Sequence, residues 1–197
     1  MTEVYALRHD ADSFRVNREV LTALVSAEKR ARLLRIRNFA DASGVLAADL
    51  LLRMLISRRT GLRFAEISFG TARYGKPYLL GELDTPLHFN VSHSGPWVAV
   101  AIGGCPNGVD IQEHRALRGQ DVGRAFFDQW VQREARLKCT GEGLTGTPNE
   151  SLFTRSYRPD VRTAAAVCAV RDGFSDIHYI GMSELLQACA HKESHGS

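Results

Sequence analysis

The sequence predicts an α+β fold, and three observations carry that expectation. Short β-rich segments bounded by Gly, Pro or Asn crowd the centre of the 197-residue chain. Apolar residues recur at helical spacing in longer stretches on either side of them. Helical and strand segments are grouped rather than strictly alternating, which argues against a doubly wound parallel sheet.

Taken in order, Ser26 is placed to cap a short basic helix over residues 26–36, with Glu28 in its first turn. A longer helix is expected between Asp41 and Gly61. There Leu46, Leu50 and Met54 recur at helical spacing beside Leu51 and Leu55, and Gly61 supplies a stop. The period then changes: EISF (66–69), LHFNVS (87–92), WVAVAI (97–102) and GVDIQ (108–112) read as strands with tight connections. Helical periodicity returns in RAFFDQWVQREARLK (124–138), after which TAAAVCAV (163–170) and IHYI (177–180) read as strands. Ser183 is placed to cap a last helix, SELLQACAHK. No repeat and no Pro/Ser-rich linker divides the chain, so any lobes pack closely.

An apolar content of 44% allows a substantial core. Charged residues make up 24% and the formal net charge is +3, which excludes a nucleic-acid binder built on a broad basic surface but leaves a local anion site open. Cys105, Cys139, Cys168 and Cys189 are widely spaced and form no CxxC pair, so buried thiols of a reducing compartment are expected rather than a zinc ribbon or disulfide framework. The N-terminal MTEVYALRHDADSFR carries charges where a secretion signal needs an apolar run, and no stretch has the length to span a bilayer. The expectation is a soluble, cytoplasmic protein with neither a membrane nor a nucleic acid as partner.

Four segments have the composition of chemistry. Gly70-Thr-Ala-Arg-Tyr-Gly75-Lys76 nearly spells a phosphate-binding P-loop, but Pro77 stands where that motif needs a hydroxyl and a continuing helix. The stretch from Pro77 to Gly81 reads as extended instead. The turn Tyr74-Gly75-Lys76-Pro77 still presents an aromatic ring, bare backbone and a cation, which suit a base and a phosphate; an ordinary surface turn has the same composition. Asn90-Val91-Ser92-His93-Ser94 begins in a strand and leaves it near His93. Adjacent strand residues face opposite ways, so Ser92 and His93 make a poor nucleophile–base pair, and the GxSxG elbow of a hydrolase is missing. Either the hydroxyl and imidazole each bind a phosphate oxygen, or His93 is bonded within its own turn.

In Gly108-Val109-Asp110-Ile111-Gln112, alternation sends Val109 and Ile111 to one face and Asp110 and Gln112 to the other. A carboxylate and an amide side by side are oxygen ligands that suit Mg²⁺; a half-buried edge strand with its Asp in solvent has the same pattern. Trp130, Glu134 and Lys138 lie at i, i+4 steps on one helical stripe. An exposed Glu–Lys pair contributes only about 0.2–0.5 kcal/mol. The stripe matters chemically if Glu134 faces Asp110, because two carboxylates across a gap invite a divalent cation.

Together and in this order, the four segments resemble the phosphopantetheinyl transferases of the surfactin-synthetase type. YGKP, FNVSHSG, GVDIQ and WVQREARLK are similar to that family's GKP, FNxSHS, GVDIE and WxxKEAxxK signatures, in a region running from Val25 to Gly143. The resemblance implies a pseudo-dimer of two similar α+β lobes, here residues 1–104 and a shortened 105–197, with the active site in the cleft between them. It implies Mg²⁺-dependent transfer of 4′-phosphopantetheine from coenzyme A to a serine hydroxyl of an acyl or peptidyl carrier protein, with release of 3′,5′-ADP, by a monomer. Carried over residue by residue, Asp110 and Glu134, with Gln112 beside them, hold the metal, and Glu134 serves as base for the serine. Lys138 neutralises or protonates the leaving group. Tyr74, Gly75, Lys76 and Pro77 line the nucleotide, while Lys29, Arg32, Ser92 and His93 contact its phosphates.

The chain departs from the family's pattern in three places. Gln112 stands where many relatives have a second acidic ligand, and Gly44-Val45 where close relatives offer Arg-Thr to the phosphates. Nineteen residues separate Asp110 from Trp130, and the stretch from Gly143 to AAVCA is also short; typical members are longer in both, and the first includes a helical region tied to carrier docking. The alternative implied by these losses is a degenerate relative that binds coenzyme A or a carrier protein without efficient transfer.

Overall fold

The computed structural model of the protein describes residues 1–114, 123–141, 143 and 146–191. In chain order they form β1 (Thr2–Arg8), α1 (Ala11–Val16), α2 (Arg18–Ala23), α3 (Ala27–Arg35), α4 (Phe39–Thr60), a 3-10 turn (Phe64–Glu66), β2 (Phe69–Thr71), β3 (Pro77–Leu79), β4 (His88–Ser94), β5 (Trp97–Gly103), β6 (Asn107–Glu113), α5 (Gly123–Thr140), β7 (Phe153–Asp160), β8 (Thr163–Ala169), β9 (Phe174–Ile180) and α6 (Met182–His191). The fold is α+β. One sheet has the order β4-β5-β1-β9, with β9 parallel to β1 and the other pairs antiparallel; a second has the antiparallel order β6-β8-β7; β2 and β3 form a small hairpin.

Side-chain alternation stacks these pieces in four layers. Along β5, Val98, Val100 and Ile102 face the helical layer of α4, α3 and α6, while Trp97, Ala99 and Ala101 face the second sheet. Along β8, Ala165 and Val167 meet the first sheet, and Ala164, Ala166 and Cys168 meet α5. The layers therefore run helices, sheet, sheet, helix. β5 and β8 are buried at every position, which is why they read as continuous apolar runs rather than alternating ones. Helix α4 is likewise buried from Ser43 to Ser57 and lies through the helical layer.

The ends of the helices follow from local chemistry. Ser26 Oγ accepts from the Lys29 amide at 3.2 Å at the start of α3, as its sequence predicts. Asn38 Oδ1 accepts from the Ala40 amide to start α4, and Gly61, at φ 75°, ends it in the left-handed region.

Two expectations are corrected. EISF is not a strand: Glu66 accepts the Arg63 amide at 2.7 Å and closes the 3-10 turn, so extended backbone begins only at Phe69. Ser183 does not cap the last helix, which starts one residue earlier, with the Leu185 amide bonded to Gly181 O. All four cysteines are buried thiols. No helix among the described residues is long and apolar enough to cross a membrane.

Candidate active site

The chemistry-bearing residues gather where the facing edges of the two sheets meet. β4 is an edge of one sheet and β6 an edge of the other. Their junction is made by side chains: Asn90 Oδ1 accepts from Val109 N at 2.9 Å, Ser92 Oγ from Ile111 N at 3.4 Å and Ser94 Oγ from Glu113 N at 3.0 Å. Period-two alternation aims all three polar groups at one neighbour. They satisfy amides that have no strand partner on that side.

β6 presents its other face to α5. Gly108 lies against the helix backbone, where a Cβ would overlap the Ala135 carbonyl oxygen and the Cys139 amide. Only glycine allows that approach. Two residues on, Asp110 is 7% exposed, and its Oδ1 accepts from Lys138 Nζ at 2.6 Å and from Ser92 Oγ at 2.9 Å. Lys138 also donates to Ser92 Oγ at 3.1 Å. Glu134, one helical turn from Lys138, is 3% exposed and accepts from Arg133 Nη1 at 3.1 Å. Burial, and then the charge of Asp110, push the Glu134 carboxyl up from its ordinary value against the pull of Lys138 and Arg133. Two buried carboxylates and one ammonium thus share a single electrostatic environment. Gln112 is half-buried and donates to Glu113 O at 3.2 Å. Trp130, at the far end of the helical stripe, is exposed and stacks on Phe126.

No cluster of three or more His, Cys, Asp or Glu side chains suited to a metal occurs among the described residues. The Asp110–Glu134 pair nevertheless has the donor chemistry for Mg²⁺, which takes one or two carboxylates and completes its shell with water and substrate phosphates. The mutual repulsion of the two carboxylates is what such a cation relieves.

A cavity of ≈ 470 Å³ lies beside this cluster, between α3, α4, the β2–β3 hairpin and β4. Of the residues expected to meet the nucleotide, Lys29, Arg32, Gly75, Pro77 and His93 line it. His93 is exposed on that wall, and desolvation, followed by the charges of His9, Lys138 and Arg32, lowers its pKa. The imidazole therefore stands in the fields of Arg32 on the cavity wall and of Lys138 in the buried cluster, with Asp41 opposing them.

Three expected residues are placed elsewhere. Ser92 faces Asp110 rather than the cavity, consistent with its opposite side from His93 on the strand. Tyr74 is exposed, covered by the Arg73 guanidinium at 5.2 Å and close to Gly143. The Lys76 ammonium turns away from the cavity and donates to Asn107 O and Lys138 O, both at 2.8 Å, and to Cys139 O at 3.2 Å.

The structure adds residues that the sequence motifs do not reach. Asp49 on the cavity wall takes Lys29 at 3.2 Å and Arg53 at 2.6 Å, and Arg53 also donates to Phe64 O and Ile67 O. An Asp–Arg pair four apart inside an otherwise apolar helix is the available signal, since such charges are buried only when paired. His9 is buried, with Nε2 at 3.1 Å from Gly95 O. A Cβ on Gly44 would stand 3.2 Å from His9 Nε2 and 3.3 Å from His93 Nδ1, so the missing side chain at that position makes room for two imidazoles.

A family model described as "4′-phosphopantetheinyl transferase, N-terminal" matches residues 14–104. A 4′-phosphopantetheinyl transferase of Bacillus subtilis is 30% identical over 215 residues, covering 88% of this chain and 95% of that protein. The chain belongs to the 4′-phosphopantetheinyl transferases. Its likeness is to the surfactin-synthetase type: the 4′-phosphopantetheinyl transferase Sfp of Bacillus subtilis strain 168 is 27% identical over 227 residues, covering 93% of this transferase and 100% of that one. The psf-1 transferase of Bacillus pumilus is 34% identical over 147 residues, or 64% of this chain and 62% of its own. An alignment of 227 residues is longer than this 197-residue transferase, so the relative has segments that are shortened here. Of the nineteen residues between Asp110 and Trp130, where the sequence pattern places one shortening, 115–122 lie outside the described residues.

Proposed function

We propose that this transferase moves the 4′-phosphopantetheine arm of coenzyme A onto a serine hydroxyl of an acyl or peptidyl carrier protein, using Mg²⁺ and releasing 3′,5′-ADP. The observation that carries the reading is the gap between β6 and α5, where buried Asp110 and Glu134 meet Lys138 beside a cation-lined cavity.

Asp110 and Glu134 are the residues that would hold the metal, with Gln112 next to them on the strand. Bound there, Mg²⁺ supplies positive charge to the pyrophosphate. Lys29, Arg32 and His93 meet the nucleotide's phosphates, and Gly75 and Pro77 line its base. Glu134 accepts the serine proton as the serine oxygen bonds to the β-phosphorus and the bond to the nucleotide phosphate breaks. Burial raises its pKa, the direction that favours a general base, and such catalysis is typically worth about 10²–10⁴-fold. Lys138 then neutralises or protonates the departing 3′,5′-ADP, and Ser92 keeps Lys138 and Asp110 oriented. The proposed setting is a cytoplasmic monomer.

Incubation with coenzyme A, Mg²⁺ and several apo carrier proteins should add one phosphopantetheine mass to a carrier. Absence of transfer to every carrier, with coenzyme A still bound, would sink the reading and favour a binding module. The observation on that side is Gln112, an uncharged residue bonded to its own neighbour. Calorimetry separates the two, because a binder would lose little coenzyme A affinity, in Mg²⁺, when Asp110 becomes Ala.

A further inference from the structure

We infer that Lys76 is a positioning residue for the transfer step, its ammonium tying the cavity-lining turn to both elements that carry the reacting groups. The inference rests on the proposed function for the identity of those groups, and on hydrogen bonds alone for the tie.

The last turn of a helix leaves carbonyls without partners inside the helix. In α5, three of them have partners among the described residues. Leu137 O accepts from the Gly141 amide at 2.9 Å and from Thr140 Oγ1 at 3.2 Å. The next two, Lys138 O and Cys139 O, both accept from Lys76 Nζ. A cation at the negative end of a helix is favourable in itself. The third proton of the ammonium goes to Asn107 O, where β6 begins. A lysine has three donors, and all three are in use.

The consequence lies in what those elements carry. Asp110 is three residues along β6 from Asn107, and Glu134 is on α5 one turn before Lys138. Lys138 is held twice, by its carbonyl on Lys76 and by its side chain on Asp110 and Ser92. On the other side, Gly75 and Pro77 flank Lys76 and line the cavity, and the turn is closed by the Ala72 amide on Lys76 O at 2.9 Å. One side chain therefore joins the wall of the binding cavity to the two elements between which the phosphoryl group must pass. Reacting groups displaced by about 1 Å lose on the order of 10²-fold in rate. The family resemblance assigns Lys76 to the nucleotide; the structure gives its ammonium a different occupation.

Lys76→Met keeps the stem and deletes the donors. Against a carrier protein that the unmodified enzyme modifies, it should lower kcat by about 10-fold or more while KM for coenzyme A changes less than about 3-fold. Acylation of Lys138 by an amine-reactive reagent, followed by mass spectrometry, should speed up in the same variant. A rise in coenzyme A KM with kcat preserved would return Lys76 to the nucleotide, and unchanged kcat and Lys138 labelling would leave it a purely structural residue; either overturns the inference. Hydrogen exchange on the unmutated protein needs no variant to fold. Saturating 3′,5′-ADP should slow the amides of residues 137–141 at the end of α5, and no change there would overturn the inference even if transfer activity is established. Conversely, a slowed helix end in a protein that modifies no carrier would preserve the tie and remove the proposed reaction.

Discussion

Glu134 is a residue whose burial and chemistry oppose each other. Its native pKa lies above the ordinary value of 4.5, so the folded state binds a proton that the unfolded chain has released. Stability is undiminished below that pH and falls as pH rises through the native pKa. Glu134→Gln removes the titration, so in magnesium-free buffer near neutral pH the variant should melt higher than the parent, and its melting temperature should vary less with pH. Its turnover should fall by about 10²–10⁴-fold, with a much smaller change in coenzyme A affinity. A variant that melts lower than its parent at every pH would refute the account of the carboxylate. The same residue illustrates what a sequence makes legible. Its i, i+4 spacing to Lys138 is plain in the chain, but an exposed pair has that spacing too; only burial against Asp110 distinguishes the two.

At the scale of elements, the contact that matters is β6 on α5. Gly108→Ala would drive a methyl into the helix backbone at Ala135 and Cys139, a contact that no rotamer change relieves. The expected result is a loss of about 1–3 kcal/mol in urea unfolding, with a drop in turnover because α5 carries Glu134 and Lys138 away from Asp110. Unchanged stability would mean that the helix is not seated as described. Helices α3 and α4 are readable from the sequence, because a cap at Ser26 and a stop at Gly61 are local signals. β1 is not among the segments that read as strands, and neither is β7, whose exposed, polar edge-strand face lacks an apolar stripe. The bonding of Asn90, Ser92 and Ser94 is not legible at all, since each partner amide is 19 residues away and belongs to another sheet. Their alternation is visible; its recipient is not.

For the molecule as a whole, the site lies where two sheet edges and an outer helix converge, so binding there should be felt as global stability. Mg²⁺ together with coenzyme A should raise the melting temperature, chelation should reverse the rise, and Asp110→Ala should abolish the part due to the metal. A ligand at 100 times its dissociation constant stabilises by about 2.7 kcal/mol. An equal rise with and without Mg²⁺ would contradict the two-carboxylate site. The layered core also explains why composition foretells a substantial interior without foretelling its plan: small side chains such as Ala99, Ala101 and Ala165 let one sheet settle on the other, and nothing in their spacing names the opposing partner.

One connection reaches further than the site. β9, near the end of the described chain, lies parallel to β1 at its beginning, with Val4 opposite Ile177 and Leu7 opposite Ile180. During synthesis, β1 therefore emerges from the ribosome long before its outer neighbour exists, and its flank on that side stays open until β9 follows. A nascent chain stalled before Phe174 would offer the largely buried β1 to any passing strand, and β9 replaces it at the edge with a more exposed one.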